Sequence, residues 1–420
     1  MAAQIPGTDT AAAPAARGRS HRSGFWTVAY AFLIVMAVAT LPSPLYGLYR
    51  IRDHLSAFMI TLVFAIFAAG TIAALLGDRF LAARLGRRRV MLGAVAMMMI
   101  AVGLLAAWEA LPGLLIGRFL TGIAVGLASG TAITYLIELR LRADPGASAA
   151  RAQVIGTCVT VGGLGIGPLI AGCLAQWAGE PLVVPYLVFV ALGAIALAAL
   201  WPVPETGARS AQAAAASAPA GSRSRIRLPV PAAAGTLAGF AANGLFAGLS
   251  GLFLATTLHH PAHALSGAAL FVVFTCGVAS QLATVRLPAS GVLGLGMASM
   301  LAGLTLLVVS VRLSAPSLAL FLIAGGLIGA GSGAVFKGTT GLVLAASPPE
   351  SRIAMTSALV IALYIGLSVP VIGAGVALDL GASSPNTVLG FAILVALGVA
   401  VSGWALLGRR PSGSAPGRLR

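Results

Sequence analysis

Two positive charges stand alone in apolar sequence. Arg118 is the only charged residue between Glu109 and Glu138, and Lys337 the only one between Arg312 and Glu350. A cation among apolar side chains is costly, so each needs a specific partner or a functional reason. As binding groups they would give a cavity a positive potential that favours anions. As structural groups they would bond neighbouring carbonyls, or reach along their aliphatic stems to a polar boundary.

Other chemistry-bearing residues are sparse. Asp78, Glu109 and Glu138 fall near the ends of apolar stretches, where a carboxyl is either a wet boundary residue or, if partly buried, a proton carrier. His259, His260 and His263 cluster, and the first and last would share a helical turn. A metal or pH-sensing site is one reading and a solvated loop the simpler one. Cys158, Cys173 and Cys276 have neither paired spacing nor a neighbouring His, which fits no zinc set and no disulfide framework. Lys337-Gly338-Thr339 faintly resembles a phosphate loop, but Phe336 stands where that loop needs glycine. No metal or cofactor is expected, so any work must be driven by an ion or substrate gradient.

The elements that hold these residues are membrane spans. Hydrophobic residues make up 59% of the chain, charged ones 9%, and there are 53 glycines, a composition that no soluble domain could bury. One span needs about 20 apolar residues. Hydropathy places twelve, near 25–49, 56–77, 90–111, 114–137, 153–177, 182–201, 230–257, 265–285, 289–311, 317–344, 352–377 and 386–407. The fold class is therefore an all-α membrane protein with no room for a soluble catalytic domain. Residues 1–24 read as a disordered tail without the apolar core of a signal peptide. Residues 202–228, with an Ala-rich run and Arg209, Arg223, Arg225 and Arg227, read as a linker, and 409–420 as a second tail.

The formal charge of +16 is distributed by topology. Of the 26 Lys and Arg, all but five fall in the tails and even-numbered connections; the exceptions are Arg50, Arg52, Arg312, Arg118 and Lys337. Cytoplasmic segments carry such an excess, so both termini are expected in the cytoplasm, with the protein in the inner or plasma membrane. The same distribution argues against nucleic acid as a partner. Trp26, Trp108, Trp177, Trp201 and Trp404 lie near span ends as interfacial anchors.

The halves 25–201 and 229–408 repeat one another at a nearly constant offset. Gly126 and Gly130 correspond to Gly329 and Gly333, and Arg151, Gly165 and Gly172 to Arg352, Gly366 and Gly373. Six spans per half make the repeats parallel, related by an axis along the membrane normal, with a cavity between them.

Four short segments carry further information. After span 2 the chain reads Gly77-Asp78-Arg79-Phe80-Leu81-Ala82-Ala83-Arg84-Leu85-Gly86-Arg87-Arg88-Arg89. In span 4, Arg118-Phe119-Leu120-Thr121-Gly122-Ile123-Ala124-Val125-Gly126 sets Gly122, Gly126 and Gly130 on one face, where a neighbouring helix can come close. In span 5, Gly163-Leu164-Gly165-Ile166-Gly167-Pro168-Leu169-Ile170-Ala171-Gly172 combines a bend at Pro168 with close-packing glycines, as a hinge or simply as packing. In span 1, Pro42 and Pro44 break or kink the helix near its end, which gates a cavity or merely ends the helix.

On these motifs the chain resembles the major facilitator superfamily over essentially its whole length. The resemblance implies twelve helices in two pseudo-symmetric six-helix bundles and alternating access around a central site. A single chain would hold the whole pathway, so the protein is expected to work as a monomer. The first segment resembles the family's loop signature, with Arg84, Gly86, Arg87 and Arg88 at the expected spacing. Ala83 departs from it, standing where the family usually carries an Asp that helps lock one conformation; Asp78 is the nearest acid. The span 4 segment resembles the family's arginine-plus-glycine pattern, and the span 5 segment, including Gly163, Gly167, Pro168 and Gly172, resembles a motif associated with exporters.

Tyr30, Tyr135, Asn243, Gln281 and Tyr364 are polar or amphipathic residues in apolar spans. With Arg118 and Lys337 they are the cavity candidates, each able instead to bond a neighbouring helix. The expectation is a drug/proton antiporter-like secondary transporter that exports small organic compounds by alternating access. Its partners would be a small-molecule substrate, the proton and the lipid bilayer. Proton-coupled transport of an organic anion, an aromatic or carboxylate metabolite, is the alternative, motivated by the two cations. No cluster of acids, histidines or cysteines inside the spans supports an enzyme, and no soluble signalling domain supports a sensor.

Overall fold

The computed structural model describes residues 14–206, 228–348 and 351–408, with the side chains of 14–19, 78–83 and Ile353 outside that description. Its helices are α1 (Pro14–Thr40), α2 (Tyr46–Asp53), α3 (Ala57–Leu85), α4 (Arg87–Ala107), α5 (Leu111–Ala143), α6 (Ala149–Trp177) and α7 (Val184–Leu200). After residues 207–227 follow α8 (Val230–Thr256), α9 (His263–Ala283), α10 (Ala289–Arg312), α11 (Leu318–Ala345), α12 (Arg352–Asp379) and α13 (Ser384–Leu407). Eleven described spans, with α1 and α2 together forming the first, are long and apolar enough to cross a bilayer. The twelfth, α7, has 17 residues, the short limit for a spanning helix. An even number of crossings puts both ends of the described chain on one face, here termed the terminal face, opposite the far face.

Local sequence explains most helix boundaries. Proline stands in the first turn of α5, α7, α8 and α13, where its missing N–H costs nothing and its φ suits a helix. Three boundaries differ from the hydropathy reading. First, α1 starts at Pro14, inside the stretch expected to be a disordered tail, because Ala and Arg are good helix formers even without apolar burial. Second, α3 runs to Leu85, so the supposed loop signature is mostly helix, and Gly86, at a φ of 86°, alone joins it to α4. Third, α5 continues to Ala143 and carries Glu138 within its final turns. Of the expected linker only Pro202–Thr206 and Leu228 are described; 207–227, like the outer parts of both tails, lie outside the described residues.

The first span is broken. α1 ends at Thr40, a 3-10 turn covers Ser43–Leu45, and α2 starts at Tyr46. Pro42 and Pro44 cannot donate to the preceding turn, so the ladder ends; the Leu45 N–H donates to the Pro42 carbonyl at 2.9 Å instead.

Helices α1–α7 form one bundle and α8–α13 the other, meeting along α6 against α9 and α3 against α12. Inside the first bundle α3 and α5 cross backbone to backbone. A Cβ on Gly122 would strike the Phe67 carbonyl, and one on Gly126 the Thr71 backbone and Ala74. The second bundle repeats the device, Gly329 and Gly333 of α11 lying on Val273 and Gly277 of α9. The α6 glycines divide between two neighbours. Gly163 and Gly167 seat α1 at Leu33 and Ala37, whereas Gly165 and Gly172 face Phe271, Phe274 and His263 of α9 in the other half.

Adding a side chain at the α3–α5 crossing should therefore be costly. We expect Gly122→Val to lose about 3 kcal/mol or more of stability, the upper range for overpacking. Gly103→Val, whose added atoms meet open space, should stay within about 0.5 kcal/mol of the parent. Thermal melts followed by size-exclusion chromatography in detergent distinguish the two.

Candidate functional site

Arg118 is fully buried. Its Nη1 donates to the Ala39 carbonyl at 2.8 Å, and its guanidinium carbon lies 4.6 Å from the centre of the Phe67 ring. Ala39 is in the last turn of α1, where carbonyls have no donor from within the helix, and the prolines beyond it supply none. Arg118 thus caps the negative end of an interrupted helix. A parallel repair serves α6. Pro168 cannot bond the Leu164 carbonyl, and the Thr40 hydroxyl donates to that carbonyl at 2.6 Å.

The capping role leaves part of the guanidinium unused. Nε and Nη2 of Arg118 have no hydrogen-bond partner, nor has the buried Tyr46 hydroxyl. Tyr46 and Tyr186 are within electrostatic reach of Arg118, and Tyr49 donates to the Tyr186 hydroxyl at 3.1 Å. Among the described residues Arg118 forms no ion pair; the pairs found are Arg52 with Asp53 and Glu109, and Arg87 with Glu138. Glu109 is accordingly a paired boundary residue on the far face.

Phe67 carries this cluster across the seam. Its ring meets Tyr364 of α12 edge-on, with centroids 6.1 Å apart and planes at 64°, and the Tyr364 side chain also lies beside Ser129 of α5. Arg118 and Tyr364 are therefore brought together through one intervening ring. Asn243, at the middle of α8, faces its own half: its Nδ2 donates to Ser332 Oγ at 3.0 Å, while Oδ1 has no partner.

Towards the far face hydrogen bonds join the two halves. The His263 N–H donates to Gln176 Oε1 at 2.9 Å, and the Ala57 and Phe58 N–H groups donate to the Asp379 carboxylate at 2.9 and 3.0 Å. A cavity of about 110 Å³ remains, with Ser43, Tyr46 and Arg50 on one side and Leu249 and Leu252 on the other. That is far below the roughly 300–1,000 Å³ of a site for a drug-sized ligand.

Three other cavity candidates, Lys337, Tyr30 and Tyr135, bond backbone of their own half or of the segment that follows it. Lys337 Nζ donates to the Gln281 carbonyl at 2.6 Å and to Thr284 Oγ1 at 3.2 Å, capping the end of α9. Tyr30 donates to the Leu192 carbonyl at 3.3 Å, and Tyr135 to the Pro204 carbonyl at 2.8 Å. The Arg87 region is held likewise. Arg87 Nε meets Glu138 Oε1 at 3.2 Å, and the Arg87 and Arg88 N–H groups donate to the Glu205 carboxylate at 2.8 and 3.1 Å. Arg88 reaches the Trp201 and Val203 carbonyls, Arg142 those of Glu205 and Thr206, and Thr206 Oγ1 bonds Glu138 at 2.6 Å. These partners belong to the first half and to the segment Pro202–Thr206 that follows it. Arg84 is exposed, and the expected roles of Asp78 and of the departure at Ala83 fall outside the described side chains. Sequence reasoning overlooked Phe67, Ser129, Glu205 and Asp379.

Residues 28–289 match the family model described as Major Facilitator Superfamily. No curated protein matches the chain. Among solved structures it is similar to the nucleoside transporter NupG, at a TM-score of 0.65 and 13% identity, with 92% of this chain and 98% of that one covered. A point mutant of NupG aligns at a TM-score of 0.68 and 13% identity, with 92% and 99% covered.

If Arg118 were only a cap, an apolar replacement would cost stability and nothing else. The Ala39 carbonyl loses its donor while the desolvation of the buried guanidinium is relieved, so Arg118→Met should fold with a melting temperature only a few degrees below that of the parent. Transport should fall at least about tenfold, equivalent to about 1.4 kcal/mol. Melting curves and vesicle flux measured on the same preparation check both halves of the expectation.

Proposed function

Because the chain belongs to the major facilitator superfamily and is a membrane transporter, not an enzyme, we propose that it exports small, largely apolar organic compounds in exchange for protons. The seam carries this reading. The Gly165–Gly172 stretch of α6, the segment that resembles the exporter motif, forms one side of the junction with the second half, and Pro168 there packs against Gly267 of α9. Rocking of the halves about this junction and the α3–α12 contact would open the far face and close the terminal one. The hydrogen bonds that join the halves at the far face support reading this as the conformation that loads solute from the terminal face. The excess of Arg and Lys on that side supports its assignment to the cytoplasm.

A second reading has one specific observation in its favour. Arg118 holds two unpartnered donors beside an aromatic ring, with no acid paired to it among the described residues. An aromatic carboxylate would satisfy both the charge and the ring. Opening the far face would separate Phe67 from Tyr364 and uncover the guanidinium, which suits proton-coupled movement of an organic anion.

Proteoliposomes enclosing a pH-sensitive dye separate the two. Lipophilic cations, neutral drugs and aromatic carboxylates are presented side by side under an imposed gradient. Proton movement opposite to that of a cationic or neutral drug is the expected result. Proton movement in the same direction as a carboxylate, abolished by Arg118→Met, would replace the export reading with the anion one.

A further inference from the structure

We propose that Asp379 is the latch that holds the two halves together at the far face, by capping a helix of one half with a carboxylate of the other. Asp379 is the last residue of α12, in the second bundle, and α3 belongs to the first. Its Oδ1 accepts from the Ala57 N–H at 2.9 Å and its Oδ2 from the Phe58 N–H at 3.0 Å. The Ser56 side chain lies beside the same carboxylate. Those N–H groups begin α3 and have no acceptor inside it. Ionised oxygens set there satisfy two orphan donors and meet the positive end of the helix dipole. A helix is normally capped by a residue of its own; here the cap comes from a residue far away in the chain, and the bond must break whenever the far face opens.

The surroundings single out this contact. One turn further in, Gly375 lies against Thr61, so α12 and α3 already touch and Asp379 acts at the outer rim of an existing junction. Arg50 of α2 is the charged group that acts on Asp379 electrostatically. Another polar contact across the far-face seam, Gln176 with the His263 N–H, is between neutral groups. At the terminal face, the contacts of Arg87 and Arg88 with Glu138 and Glu205 join the first half to the segment that follows it. The inference rests on transport by rocking of the halves, and it names the contact that sets how long the far face stays shut.

Distance measurement tests it without any substrate. In the full chain, with the three cysteines replaced by serine, spin labels go on Ile51 and Leu313, which are exposed on the far-face ends of opposite halves. Pulsed electron resonance in lipid nanodiscs then reads the far-face separation. Asp379→Ala should raise the ratio of long to short separations roughly fivefold, equivalent to about 1 kcal/mol for a lost cap. Asp379→Asn, which keeps an acceptor oxygen and loses the charge, should shift it less but in the same direction. Asp53→Asn, which removes an acid paired with Arg52 on the same face, should not shift it. An unchanged distribution in Asp379→Ala, or in Asp379→Asn should the alanine variant not fold, overturns the latch. A shift in distance with no solute flux for any compound class would leave the latch standing and remove the export reading.

Discussion

Backbone carbonyls that lose their helical donor inside a bilayer must find another, and this requirement governs the centre of the protein. The double proline at Pro42 and Pro44 ends α1 early, Pro168 interrupts α6, and α9 ends at Ala283. Arg118, Thr40 and Lys337 each supply a donor to one of these interruptions, at Ala39, Leu164 and Gln281. Both intramembrane cations are thereby located by helix ends. What separates them is what remains after capping. Lys337 is half-buried and bonds two oxygens; Arg118 is wholly buried, bonds one and leaves two donors unused.

The α1 break also decides where the bundle can move. It places Tyr46 and α2 at the far-face seam, alongside α3 and α8, while Thr40 binds α1 to α6. Gly163 and Gly167 lock α6 to α1, so α1 and α6 travel together, and Gly165 and Gly172 leave the opposite face of α6 free to meet α9. A single glycine-rich stretch thus serves as a fixed joint on one side and a separable one on the other. The span 5 glycines need no intrinsic flexibility to do this; their missing side chains determine which neighbour comes close.

Much of this was legible in the sequence because it depends on local rules. Twelve apolar stretches, the proline break and the repeated glycines follow from hydropathy and backbone sterics, and the structure places Gly126 and Gly329 at equivalent crossings. Boundaries slipped where helix propensity outlasted hydrophobicity, as at Pro14 and at Leu85, since a helix needs no lipid to continue. The site was legible in part. Arg118 and Tyr364 do belong to one cluster, but Phe67 between them was invisible, because a phenylalanine in an apolar span carries no signal until its neighbours are known. Tyr30, Tyr135 and Lys337 are as polar as their sequence suggested, yet each is satisfied by a carbonyl on a neighbouring helix or the adjoining segment. Glu205 and Asp379 lie at the edges of the apolar segments, where an acid looks like an ordinary boundary residue. Only the fold shows that each caps a helix remote from it in sequence.

Separation of the halves at the far face is the central claim, and a reversible tether tests it most directly. Gln176→Cys with His263→Cys, in a background free of other cysteines, places a thiol pair where α6 meets α9. Oxidation to the disulfide should stop solute flux in proteoliposomes, and reduction should restore it. Undiminished flux through the cross-linked protein would mean that solute crosses without the far-face seam opening, and that the halves need not separate there.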